Sequence, residues 1–200
     1  MTREGSNGAR DSQTRVWQIG AGALLAAALI LSEQARAEVA DAGANGFTLR
    51  GTAHVAASPD KVYATLITPQ RWWSSQHTFS GDAANMSLDA KAGGCWCETL
   101  PNGGSVLHMT VVYAAPGKGL RLRGGLGPFQ SMAADGAMVW TLAPKDGGTD
   151  VTLTYAVAGY AKDGFDKIAH GASGVLDEQM SRLKSYAETG SVPSQKEMKP

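Results

Sequence analysis

The chain has 200 residues, 18 basic and 18 acidic side chains and a formal net charge of zero, and 43% of it is apolar. That composition supports one domain of ordinary size. It contains no basic block or stripe, so nucleic acid and anionic membrane surfaces are not expected partners.

Val16 to Leu31 is a mostly apolar run, preceded by Arg3, Arg10 and Arg15 and followed by Ala35-Arg36-Ala37. Basic region, short apolar region and A-x-A site predict a secretory signal peptide cut after Ala37. The alternative is an uncleaved anchor, for which sixteen residues including Gln18 fall short of the roughly twenty a span needs. Glu4 and Asp11 in a long leading region keep that alternative open, and there is no twin-Arg pair. Cleavage takes away four basic side chains (Arg3, Arg10, Arg15, Arg36) and three acidic ones (Glu4, Asp11, Glu33), leaving a net charge near −1. The expected location is the periplasm or the exterior, with no membrane contact after cleavage. Thiols need not stay reduced there.

Residues 38–46 are small and polar and read as a flexible lead-in. Phe47 to Ala56 alternates well enough for a first strand, with His54 within it. Ser58-Pro59-Asp60 is a helix start, with Ser as N-cap, Pro at the first helical position and an acid in the first turn. Val62, Tyr63, Leu66 and Ile67 supply the apolar stripe, and Thr68-Pro69 ends it. Gln70 to Ser74 reads as a short second helix carrying Trp72 and Trp73, which as chain neighbours cannot both face one way. His77 to Asn85 is loop-like, and Met86 to Ala90 is a candidate short strand.

The next stretch, A-G-G-C-W-C-E-T-L-P-N-G-G-S-V-L-H-M-T-V-V-Y from Ala92 to Tyr113, reads as a β-hairpin turning at Pro101-Asn102-Gly103-Gly104. A four-residue loop pairs Leu100 with Ser105, Glu98 with Leu107, Cys97 with His108 and Trp96 with Met109. Alternation then places Cys95, Cys97 and His108 on one face. Trp96, Glu98, Leu107, Met109, Val111 and Tyr113 fall on the other, more apolar face. Leu120 to Gly124 is a further strand with Arg121 and Arg123 on one side. Gly125 to Asp135 is a Gly-rich loop suited to a cavity mouth. Ala137–Pro144 and Thr149–Val157 form a second hairpin around Lys145-Asp146-Gly147-Gly148. The last element is a helix from about Phe165 to Glu188, with Ile168, Ala172, Val175, Leu176, Met180 and Leu183 along one side. Gly171 and Gly174 split or bend it, or keep one face small. Residues 190–200 read as a disordered tail. No internal repeat is present.

An antiparallel sheet buries a face only when something covers it, and the terminal helix is the available cover. The predicted class is α+β: a curved antiparallel sheet wrapped around a long C-terminal helix, with an apolar cavity between them.

Several motifs resemble the START-like (SRPBCC) superfamily, in particular the branch of the Hsp90-ATPase-activator homologue and polyketide-cyclase-like domains. They are A-A-S-P-D-K-V-Y-A-T-L-I-T-P-Q-R-W-W, A-G-G-C-W-C-E, Y-A-A-P-G-K-G-L-R-L and W-T-L-A-P-K-D-G-G-T-D-V-T-L-T-Y, followed by the long last helix. The resemblance covers residues 47–189 and implies the helix-grip (START/Bet v1-like) fold. It implies a protein that binds hydrophobic small molecules, acts as a cyclase or hydrolase, or assists partner proteins. The export signal and the Cys-x-Cys pair depart from the cytosolic chaperone-activator pattern. Fold alone does not choose among these roles.

The chain lacks a phosphate-binding glycine loop in strand-to-helix context, a G-x-S-x-G elbow and an H-E-x-x-H pair, and no cofactor is expected. Cys95 and Cys97 have three readings. They form a disulfide across one residue, which a regular extended strand disfavours; they bind Zn or Cu(I) with His108 and His77; or they are small packed residues. Glu98 is the one acid on the apolar hairpin face. In a cavity it is a general acid or base; at the sheet edge it faces solvent or pairs with Arg121 or Arg123. Trp72, Trp73, Trp96, Glu98, Met109, Tyr113, Trp140 and Tyr155 are the candidate ligand-contacting residues, and as a set they equally suit an ordinary core. The leading expectation is an exported single-domain protein binding a small hydrophobic molecule without catalysis. One alternative is a cyclase- or hydrolase-like enzyme using Glu98 with His77 or His108. Another is a metal or redox protein using Cys95, Cys97 and His108.

Overall fold

A computed structural model describes residues 34–193. Eight strands form one antiparallel sheet: β1 (Arg36–Gly43), β2 (Gly46–Val55), β3 (Met86–Leu88), β4 (Cys95–Thr99), β5 (Ser105–Ala115), β6 (Gly119–Arg123), β7 (Ala133–Lys145) and β8 (Gly148–Tyr160). Their spatial order is β1-β2-β8-β7-β6-β5-β4-β3. Three helices complete the fold: α1 (Pro59–Leu66), α2 (Pro69–Trp72) and α3 (Asp166–Thr189). This is the helix-grip arrangement, with α3 lying against β1 and β2. Among the described residues, no helix is long and apolar enough to cross a membrane.

Local chemistry explains most boundaries. The Ser58 side chain accepts from Lys61 N–H at 3.3 Å and starts α1 with Pro59. The β7–β8 hairpin closes on Asp146 and Gly147, whose φ of 48° and 78° suit a two-residue turn of the primed kind. At Gly51 a Cβ would stand 2.6 Å from Met180 Sδ, so the Met180 side chain of α3 packs directly on the β2 backbone there. Gly171 and Gly174 neither split nor end α3.

Two expectations at the ends are corrected. Residues 38–46 form most of β1 and the turn into β2 rather than a flexible lead-in. Their small side chains suit a strand that lies under α3: Ala37 N–H donates to Asp177 at 2.7 Å, and Ser173 donates to Ala37 carbonyl at 3.1 Å. Of the expected tail, Gly190 closes α3 in the left-handed region (φ 79°) and Val192 packs on the core. The apolar run Val16–Leu31 and residues 194–200 lie outside the described residues.

The core holds two aromatic groups. Trp72, Trp73, Trp96 and Trp140 pack edge to face, with ring centres 4.9–6.4 Å apart along the chain of contacts. Phe47, Phe129, Tyr155 and Phe165 form the other, at 5.5–6.5 Å. Each such side chain removes enough apolar surface from water to contribute about 2–3 kcal/mol. The C-terminal half of α3 packs solidly through Met180, Leu183 and Ala187. Arg182 Nε donates to the Trp72 carbonyl at 2.7 Å and ties that half to α2.

Candidate functional site

The N-terminal half of α3 does not pack solidly. Beneath it lies a cavity of about 740 Å³. Ile168, Gly171, Ala172, Val175 and Leu176 of α3 form one wall, and Gly171 has open space where a Cβ would be. The loop before β7 forms another through Leu126, Pro128, Phe129 and Met132. Trp73, His77 and Phe79 line it from the segment after α2, with His108 of β5 and Tyr155 of β8. The lining is apolar apart from the two imidazoles, the Tyr155 hydroxyl, Thr78 and Lys167. A concave apolar chamber with a few convergent polar groups is the usual form of a small-molecule site.

Each polar group has a visible support. Tyr155 hydroxyl accepts from Leu126 N–H at 2.9 Å and donates to the Gly124 carbonyl at 3.3 Å, which fixes the mouth loop on β8. Burial pushes its pKa up to about 12. His77 Nε2 lies 3.0 Å from Glu178 and links the segment after α2 to α3.

The central polar feature comes from an irregularity in β5. Strand β4 pairs Trp96 with Met109 but Cys97 with Leu107, so His108 is the extra residue of a bulge. Such a bulge places an additional side chain on a face that regular alternation would deny it. His108 turns inward with Met109, and both are buried. Its Nε2 meets Glu98 Oε2 at 2.9 Å, with the two side chains 2% and 0% exposed. Glu98 also accepts from Phe79 N–H at 3.1 Å and Ser80 N–H at 2.5 Å. Burial alone would raise this carboxyl, but the hydrogen bonds from Ser80, Phe79 and His108 together outweigh it and hold it below its ordinary value. Burial pushes His108 below the usual imidazole value, and Glu98 offsets part of that. Near neutral pH the pair is therefore carboxylate and neutral imidazole. A carboxylate only accepts, so Nε2 carries the imidazole proton and Nδ1 keeps a lone pair. Nδ1 is buried and has no partner among the described residues.

Placement of the expected site residues divides them sharply. Trp73 and Tyr155 line the cavity. Glu98 sits behind it, against His108. Trp72, Trp96, Met109 and Trp140 are packed core residues at 1–2% exposure. Tyr113 is not inward: a second irregularity between Val111 and Tyr113 turns it out, and Arg121 covers its ring at 4.6 Å. Glu98 neither faces solvent nor pairs with Arg121 or Arg123; Arg123 instead binds Asp135 at 2.6 Å.

The proposed metal set is not assembled. Cys95 and Cys97 are joined as a disulfide on the side of β4 away from Trp96 and Glu98, and the bulge moves His108 to the opposite face. His77 is engaged with Glu178. Among the described residues no group of three His, Cys, Asp or Glu stands ready to hold a metal. Phe79, Leu126, Phe129 and Met132 were not singled out from sequence. For Leu126, Phe129 and Met132 the one signal is the Gly-rich stretch from Gly125 to Asp135, read as a cavity mouth; Phe79, in the loop-like 77–85 segment, has none.

No curated protein matches the chain. Solved structures match its fold. A conserved protein of unknown function from Enterococcus faecalis, EF2215, is 14% identical with a TM-score of 0.53, covering 82% of this chain and 81% of its own. An uncharacterised protein from Rhizobium leguminosarum is 19% identical with a TM-score of 0.51, covering 74% and 97%. Ara h 8.0201 is 12% identical with a TM-score of 0.51, covering 71% and 97%. The family described as polyketide cyclase / dehydrase and lipid transport matches residues 46–188, from the first residue of β2 to the last turn of α3. With the sheet, the grip on α3 and the cavity in place, that match over most of the chain settles its membership: the protein belongs to the polyketide cyclase / dehydrase and lipid transport family of the START-like (SRPBCC) superfamily.

Proposed function

We propose that this protein is an exported carrier or sensor that binds one small hydrophobic molecule between the sheet and the N-terminal half of α3. The observation that carries the reading is the apolar cavity of about 740 Å³, large enough for a ring system or a short acyl chain. The solid packing of the other half of α3 supports it, because the helix keeps its anchor while its near half leaves space. Export rests on the basic and apolar pattern of residues 1–31; the A-x-A site at 35–37 overlaps the start of β1, where Ala37 is bonded to α3. The test is native mass spectrometry of the protein isolated from its own host without denaturation. A bound apolar molecule released on unfolding supports the reading. A ligand-free protein that also takes up no apolar probe in titration overturns it.

A second reading, a cyclase-like enzyme, is favoured by one observation. Glu98 and His108 are hydrogen-bonded at the cavity wall, the arrangement of a general base held by a carboxylate. The almost wholly apolar lining of the cavity makes ligand binding the primary reading.

A further inference from the structure

Ligand binding in the cavity leaves the Cys95–Cys97 disulfide without a task. The bond lies on the outer face of β4, on the opposite side from Trp96 and Glu98, and both cysteines are half-buried rather than enclosed. As a staple it does little. It joins residues only two apart, and the entropy a cross-link removes from the unfolded chain falls as the loop it closes shortens. Both flanks of β4 are already held, by β3 on one side and β5 on the other.

The strand also opposes closure of the bond. Extended backbone sets alternate Cα atoms about 6.6 Å apart. Cys95 and Cys97 stand at 5.4 Å, so β4 is drawn in between them. Reduction lets the two residues move back toward regular spacing, and the dithiol is then poorly placed to close again. An accessible disulfide that closes with difficulty belongs to the oxidising, labile kind rather than the resistant structural kind. Its surroundings suit an approaching chain. Cys97 stands opposite Ser87 of β3 and Leu107 of β5. Leu107 is 55% exposed, and Val112 on the same outer face is 50% exposed. Exposed aliphatic side chains beside the bond offer contact to an apolar segment.

We propose that Cys95–Cys97 is a thiol–disulfide exchange site that oxidises cysteine thiols of another polypeptide, independently of the cavity. A thiolate of that polypeptide attacks one sulfur, forms a mixed disulfide and releases the other cysteine as a thiolate, which takes a proton from water. A second thiolate of the polypeptide then attacks its own sulfur in the mixed disulfide. That step releases the remaining cysteine thiolate, which is protonated in turn. Two electrons pass to the Cys95–Cys97 pair, which is left as the dithiol, and the polypeptide leaves with a new disulfide.

The experiment incubates the oxidised full chain, without denaturant, with reduced glutathione and separately with the apolar peptide leucyl-cysteinyl-valine amide. Alkylation followed by intact-mass measurement counts free thiols, and circular dichroism follows the fold. Each rate is divided by that thiol's rate with hydroxyethyl disulfide, so that intrinsic thiol reactivity cancels. Both thiols are expected to reduce the pair while the sheet signal stays unchanged, with the peptide the faster after this correction. Leu107→Ser is expected to slow the peptide about threefold and to leave glutathione unaffected. A pair that stays oxidised until the chain unfolds is a structural staple and overturns the proposal. Equal corrected rates for the two thiols, in the wild type and in Leu107→Ser alike, also overturn it, because nothing then favours a polypeptide.

Discussion

His108 Nε2 stands 2.9 Å from Glu98 Oε2, and neither side chain is more than 2% exposed. This contact joins β4 to the bulge in β5, and through Phe79 and Ser80 it joins both to the loop after α2. The same contact carries fold and site, so it makes the first prediction.

Glu98→Ala strands His108 Nε2 and the N–H groups of Phe79 and Ser80 together. Removing one partner of a buried pair costs about 3–5 kcal/mol, and the remaining imidazole can relax as the neutral form, so a loss of about 3 kcal/mol is expected. Chemical denaturation measures it. A loss under 1 kcal/mol would mean that the network contributes little to stability.

The pair also sets an acid limit on the fold. His108 is held below its ordinary value of 6.5 when folded, so the unfolded chain binds the proton more readily. Its contribution is complete above 6.5 and is lost as pH falls below it. Glu98 is held below 4.5 when folded, so its contribution is complete above that value and is lost as pH falls further. Both slopes have the same sign. Denaturation midpoints measured from pH 7 to 4 should fall continuously, and His108→Leu should flatten the part between 6.5 and 5. A wild type that gains stability on acidification would contradict both assignments.

Gly171 should respond to size in two steps. Open space surrounds the position of its missing Cβ. Gly171→Ala is expected to stabilise α3 by about 0.5–1 kcal/mol, the ordinary cost of glycine within a helix. Gly171→Phe is expected to fold and to abolish uptake of an apolar fluorescent probe, because the ring occupies the chamber. Unchanged uptake would place the ligand elsewhere.

The disulfide between Cys95 and Cys97 should be separable from binding. It closes a very short loop on the face away from the cavity, and chain entropy assigns such a loop only about 1–2 kcal/mol. Exported protein should show no free thiol on titration, and the double change Cys95→Ser with Cys97→Ser should bind apolar probes as the wild type does. Loss of binding in that variant would show that the outer face shapes the site.

The hairpin marks the line between what is legible in the sequence and what is not. The strands themselves follow from alternation, and their turns from Pro101-Asn102-Gly103 and Asp146-Gly147. The Ser58-Pro59-Asp60 start and the apolar side of α3 were equally plain, and together with the diffuse motifs they gave the fold. Trp96 opposite Met109 was also readable. The bulge at His108 was not, because an inserted residue leaves no mark in a polar–apolar pattern, yet it decides which face the imidazole joins. A regular register grouped His108 with the thiols and suggested a metal. The bulged register groups it with Glu98 in a buried hydrogen-bonded pair. Trp72, Trp140 and Met109 were expected near a ligand because large side chains suit both a core and a cavity wall. Only the packing separates the two.

The most direct test of the account is a methyl NMR titration of the protein with 1-naphthol. Saturable shifts are predicted at Leu126, Met132, Ile168, Val175 and Leu176, all on the cavity wall, with Leu107 and Val112 on the outer face unmoved. Absence of shifts at the cavity methyls, or shifts confined to Leu107 and Val112, would contradict it.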